Sequence, residues 1–202
     1  MNSESALVKL FDYVVEKGVS GVGPLVSAKD LAEEYLDDYS YLSKEEIARK
    51  LVNYQAVKTF TASFVISLPG PFTIPVSISG AYVTQARMIA AIGFIFGYDL
   101  KCDKVRATIR ATLVGVKIRD FVREMARKSG EQFLFKTIQS IPGSILIEVN
   151  KQLGFRFITK AGSTGVINLK KAVPLIGAMM GASVDTYFCK ATGKLAIQNF
   201  SN

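Results

Sequence analysis

The chain has 202 residues, 49% of them hydrophobic, with two cysteines, no histidine and a net charge of +8. That is enough apolar material to bury a core without staples, so a disordered chain or a disulfide-dense miniature is excluded. Without histidine the commonest general base, the commonest metal ligand and every Ser-His or Cys-His nucleophile pair are also missing, which disfavours an enzyme.

Met1-Asn2-Ser3-Glu4-Ser5 places no basic stretch before the first apolar residues, and no secretory signal is expected. Leu7, Leu10, Phe11 and Val14 then recur at helical spacing, predicting an amphipathic helix over about 4–17 that ends at Gly18. The stretch Gly18 to Pro24 looks like a phosphate cradle only in its glycines. It lacks the lysine and Ser/Thr of a P-loop and follows no strand, so it is expected to be a helix-to-helix connection. Ser27 can cap the next helix, whose Asp30, Glu33 and Glu34 favour its N-terminal dipole. Ser43-Lys44-Glu45-Glu46 is a capping box that opens a helix through Ile47, Leu51 and Tyr54, running to about Leu68.

No charged residue occurs between Lys58 and Arg87, and Pro69, Gly70, Pro71 and Pro75 interrupt this stretch. Gly70 between two prolines cannot continue a helix, whereas the run from Ile74 or Pro75 to about Phe96 can resume one, so a helical hairpin is expected with Pro69, Pro71, Phe72 and Pro75 at its turn. The prolines and the Ser, Thr and Gln content make it a poor membrane span. A buried central hairpin is the first expectation and an interfacial or re-entrant insertion the second.

Residues 101–128 carry nine basic and three acidic side chains. Val105, Ile109 and Leu113 mark one apolar face and Ile118, Phe121, Val122 and Met125 another, predicting two short helices joined near Gly115. On the second, Arg119, Arg123 and Arg127 recur every four residues in an exposed stripe that Lys117 and Lys128 extend, with Asp120 and Glu124 beside it. Helices are expected over about 130–140 and 143–159, the second marked by Ile145, Val149 and Leu153, with a loop at Gly162 to Gly165. Pro174 opens a last long helix on which Gly177 and Gly181 make a small-residue face suited to close helix packing. The whole reads as an all-α bundle of about seven to nine helices with essentially no sheet.

Two blocks resemble the EcsC family of bacterial proteins. The first is Ile74-Pro75 followed by Gln85-Ala86-Arg87-Met88-Ile89-Ala90-Ala91-Ile92 and Phe96-Gly97-Tyr98-Asp99, similar to the family's Pro-rich turn, R-x-I-A-x-I core and Y-G-x-D ending. The second is Val173-Pro174-Leu175-Ile176-Gly177-Ala178 with Gly181-Ala182 and the run Ala196 to Phe200. The chain departs from the family pattern in having Gly97 after Phe96, where many members have tyrosine, and Asp185, where asparagine is usual. The resemblance covers about Ser43 to the end and makes Arg87, Tyr98, Asp99, Pro174, Gly177 and Gly181 family-motif positions. It implies one helical domain over 1–202, with acidic N-terminal helices (1–42) packing on a family core (43–202). Together with the absent histidines and nucleophile motifs, it leads to the expectation of a non-enzymatic accessory protein at a membrane, linked to an ABC transporter or secretion. From the residues themselves, Arg87 and Asp99 would sit near the two ends of one helix, with an ion pair of Asp99 to Lys101, Lys104 or Arg106 as the first expectation and a ligand site as the second.

The charge agrees with a membrane-facing role. Residues 1–50 hold six basic and ten acidic side chains, −4 of the total, leaving +12 on residues 51–202. With a mean hydropathy of +0.25, such a body favours an anionic membrane surface or lipid over nucleic acid. Lys117, Arg119, Arg123, Arg127 and Lys128 are the expected membrane-facing patch, with the Phe72 hairpin supplying any insertion. An integral membrane transporter is a further possible partner, and the expected place is cytoplasmic, at the inner face of the membrane. Cys102 and Cys189 suggest neither a disulfide framework nor a zinc spacing, and no metal or cofactor is expected. A soluble lipid-binding protein with an apolar cavity is the alternative. A hydrolase is disfavoured, since there is no G-x-S-x-G elbow, no lysine with a serine three residues before it, and Asp37-Asp38 fall on a charged surface helix.

Overall fold

The computed structural model describes residues 3–61, 76–130, 132–154, 156 and 176–201. Among them the chain forms eight α-helices and one 3-10 turn, with no strand; the only bridge joins Val22 and Leu25 in the first interhelical loop. The protein is all-helical, as the spacing of its apolar residues requires.

Helix α1 (Ser3–Ser20) buries Leu10, Phe11, Val14 and Val15 along one stripe. It runs past Gly18, where the sequence reading ended it. Gly18 lies inside the helix because α1 presses there on a neighbouring helix: a Cβ at Gly18 would stand 2.5 Å from Ala86 Cβ. The helix needs glycine for space, not for a turn.

Helix α2 (Ala28–Asp38) begins as predicted, with Ser27 Oγ accepting from Asp30 N at 3.1 Å. The box at α3 (Lys44–Thr61) is reciprocal: Glu46 N donates to Ser43 Oγ at 3.3 Å and Ser43 N donates to Glu46 Oε2 at 2.9 Å. These bonds satisfy backbone donors that a helix start otherwise leaves orphaned.

Helix α4 (Val76–Ile95) is the central element, with α1, α2, α3 and further helices packed around it. The absence of a polar stripe on its sequence now has a cause: every residue from Ala86 to Gly93 is buried, and a helix covered on all sides needs no solvent face. Arg87 sits in the body of α4, not near its end, because the helix begins eleven residues earlier at Val76. The helix stops at Gly97, whose φ of 94° suits glycine; Gly97 N donates to Phe94 O and Tyr98 N to Gly93 O, closing the last turn. Asp99 lies beyond that stop and makes no ion pair among the described residues. Its Oδ1 accepts from Lys101 N at 2.9 Å, a local turn that leads into α5 and removes the need for a cation.

Helices α5 (Asp103–Leu113) and α6 (Ile118–Lys128) flank a turn at Gly115, and both bury the faces foreseen for them. The helix expected over 130–140 does not form. Gly130 ends α6, and residues 132–137 run without helix before a 3-10 turn at Ile138–Ser140. The physical reason is a period of two: Phe133 and Phe135 turn inward while Gln132, Leu134 and Lys136 are exposed. Residues 143–154 form α7, burying Ile145, Val149 and Leu153.

Helix α8 (Ile176–Phe200) completes the core between α3 and α4. Its described close approach is at Gly193, where a Cβ would overlap the methyls of Val52. Met88 meets Cys189 (Sδ to Sγ 3.7 Å) and Gly93 meets Phe200, so α8 runs alongside α4 in the same direction. Lys44 Nζ reaches Phe96 O at 3.4 Å, which makes α3 antiparallel to both. At the far end of α8, Asn199 is 5% exposed and fully bonded. Its Oδ1 accepts from Ile118 N (3.1 Å) while Nδ2 donates to Thr112 Oγ1 (2.9 Å) and Val116 O (3.1 Å). This one side chain fixes where α6 starts.

Candidate functional site

Helix α6 divides sharply. Ile118, Phe121, Val122, Met125 and Ala126 are buried, so the remaining positions are forced outward. Lys117, Arg123, Arg127 and Lys128 are exposed. Arg119 departs from the sequence picture: it lies at the edge of the buried face, half-covered, with its guanidinium carbon 5.6 Å from the centre of the Phe135 ring. Its Nε is buried without a hydrogen-bond partner, so the ring holds the group in place while the rest of the guanidinium stays free of protein acceptors among the described residues. The stripe is therefore a half-buried arginine continued by exposed cations.

The neighbourhood reinforces it. Arg156 stands 4.7 Å from the centre of the Phe121 ring. Glu124 is paired with Lys128 at 2.7 Å. Hydrogen bonding from Lys128, its charge, and the further charges of Arg156 and Arg127 hold the Glu124 carboxyl below the ordinary carboxylate range. The two carboxylates of α6, Asp120 and Glu124, are outnumbered by Lys117, Arg119, Arg123, Arg127, Lys128 and the neighbouring Arg156, which leaves the face positive.

The basic residues of α5 are disposed of differently. Arg106 Nη1 bonds Glu16 Oε2 at 2.7 Å, and Arg110 Nη2 bonds Asp12 Oδ1 at 2.9 Å with Nη1 on Asn150 Oδ1 at 3.2 Å. Lys104 Nζ donates to Gln139 O at 2.6 Å. The acidic residues of α1 thus neutralise the arginines of α5, whereas on α6 only Lys128 has a carboxylate partner among the described residues.

The family-motif positions do not converge on this face. Arg87 is 7% exposed, with Nη1 3.4 Å from Val26 O and Nε unpartnered. Burial lowers its pKa and Glu34 opposes that shift. Tyr98 packs at a tilt on Phe200 with ring centres 5.3 Å apart, and burial raises its pKa. Asp99 is exposed in its turn. These are packing and turn positions. Gly177 and Gly181 fall on the α8 backbone; the small-residue packing face expected of them lies outside what is described, as do Pro174, the Gly162 to Gly165 loop and the hairpin residues Pro69, Pro71, Phe72 and Pro75.

Among the described residues no cluster of His, Cys, Asp and Glu could hold a metal ion, and no helix is long and apolar enough to cross a membrane. Neither cysteine forms a disulfide; Cys102 is partly covered and Cys189 buried. Sequence reasoning missed the aromatic supports under Arg119 and Arg156. The alternation around Phe133-Leu134-Phe135 was the available signal for the first. Comparison with protein-family models, with characterised proteins and with solved structures finds no match.

Proposed function

We propose that this chain is a non-enzymatic accessory protein that binds an anionic membrane surface through α6, in the manner the resemblance to the EcsC family suggests. The observation that carries the reading is the sorting of charge. Asp12 and Glu16 tie up Arg110 and Arg106, whereas the exposed Lys117, Arg123 and Arg127 and the half-covered Arg119 have no carboxylate partner among the described residues. Each cation held near an anionic leaflet contributes about 1 kcal/mol and acts within a Debye length of about 8 Å at physiological salt. Several acting together on one rigid helix suffice for peripheral binding, and no chemical step is required of them. The place of action in this reading is the cytoplasmic leaflet, where a transporter would be a neighbour.

Cosedimentation with vesicles tests it. Wild type is expected to pellet with phosphatidylglycerol vesicles and not with phosphatidylcholine alone, and rising salt should weaken the binding. Arg123→Glu/Arg127→Glu alters two exposed positions, so the fold is kept and binding at 0.15 M salt is expected to fall at least tenfold. Equal recovery on both lipids, unchanged by the charge reversal, rejects the reading.

A further inference from the structure

The segment after α6 carries more than a connection. Phe135 is buried under the Arg119 guanidinium, and Phe133 meets it edge-on with ring centres 6.4 Å apart. These two rings anchor the segment from below. Leu134, between them, is 69% exposed, and Lys136, on the same side of the alternation, is exposed as well. Thr137, with φ −144° and ψ 170°, continues the extended course into the 3-10 turn, whose capping box ties Thr137 to Ser140. The result is a fixed apolar tip flanked by Lys136 and Arg119.

Resting on the membrane reading above, we infer that Leu134 is an apolar wedge that enters the acyl boundary of an anionic bilayer once the cations of α6 have docked. The occupant is a bilayer because the tip and its surroundings match both of its layers: cations for the anionic headgroups, and one leucine, exposed among the described residues, for the layer beneath. A nucleic acid would use the cations and leave Leu134 in water. A single side chain of this size passing from water into hydrocarbon strengthens binding about tenfold or more, and that part does not respond to salt.

The chain has no tryptophan, so a single introduced indole reports its own position. Leu134→Trp is expected to shift its emission to the blue on binding phosphatidylglycerol vesicles and to be quenched by lipids brominated near the headgroup end of the acyl chain. Tyr187→Trp, at a position on α8 that is 75% exposed, should pellet equally and show neither change. Leu134→Asp should bind at low salt and lose about tenfold in affinity in 0.5 M salt relative to wild type. Protein that pellets with an unshifted Leu134→Trp signal, or with Tyr187→Trp shifted as much, overturns the wedge while the electrostatic reading stands. A Leu134→Trp shift that double-stranded DNA reproduces also overturns it. Failure of every variant to pellet ends both proposals.

Discussion

Asn199 shows how much of the candidate site depends on one buried amide. Ile118 N opens α6 and has no acceptor in its own helix, and the residue before it, Lys117, makes no side-chain cap. Asn199 supplies the missing acceptor from α8 and uses both amide hydrogens on Thr112 Oγ1 and Val116 O. The Thr112 hydroxyl passes its own hydrogen to Thr108 O at 2.8 Å, so the chain of donors and acceptors closes. Removing the amide orphans buried groups, and a buried unsatisfied group costs about 1–3 kcal/mol. Asn199→Ala is therefore expected to destabilise the protein by about 2–3 kcal/mol, read as a lower urea midpoint at unchanged slope. A loss below about 0.5 kcal/mol would mean that water replaces the amide without penalty.

At the scale of the element, the start of α3 couples stability to pH. Hydrogen bonds from the Ser43 side chain and then from its backbone hold the Glu46 carboxyl below its ordinary 4.5. A lowered folded-state pKa means a contribution present above the unfolded value and lost as pH falls through the folded one. The stability gap between wild type and Ser43→Ala is thus expected to be full at pH 7 and to narrow on acidification below about pH 4.5; a gap independent of pH would place the cap in the Ser43 hydroxyl alone. This box was legible in the sequence because its chemistry is local: four residues fix it. The faces of α5 and α6 were legible for the same reason, since three- and four-residue spacings decide them. What the sequence did not reveal is what depends on neighbours distant in the chain. Gly18 reads as a helix stop until Ala86 is placed against it. Arg119 reads as fully exposed until Phe135 lies beneath it. The helix proposed over 130–140 failed because its composition was apolar enough for a helix while its period was that of a strand.

On the scale of the molecule, α1 and α2 pack on α4, and their buried residues belong to the same apolar core as those of α3, α5 and α8. No separate core is left for the acidic N-terminal helices to keep when the rest melts. Unfolding is therefore expected to be one cooperative event, with far-ultraviolet circular dichroism and tyrosine fluorescence giving the same midpoint; an earlier transition that takes only α1 and α2 would refute it. The pairing of Asp12 and Glu16 with Arg110 and Arg106 has a further consequence for this single body. Helix α1 behaves as a counterion that the chain carries with it. An external polyanion must displace two tethered carboxylates to reach Arg106 and Arg110 of α5, but only mobile ions to reach Arg123 and Arg127 of α6. Of the nine basic residues of 101–128, Arg106 and Arg110 therefore count for less toward an anionic surface than their number in the sequence suggests.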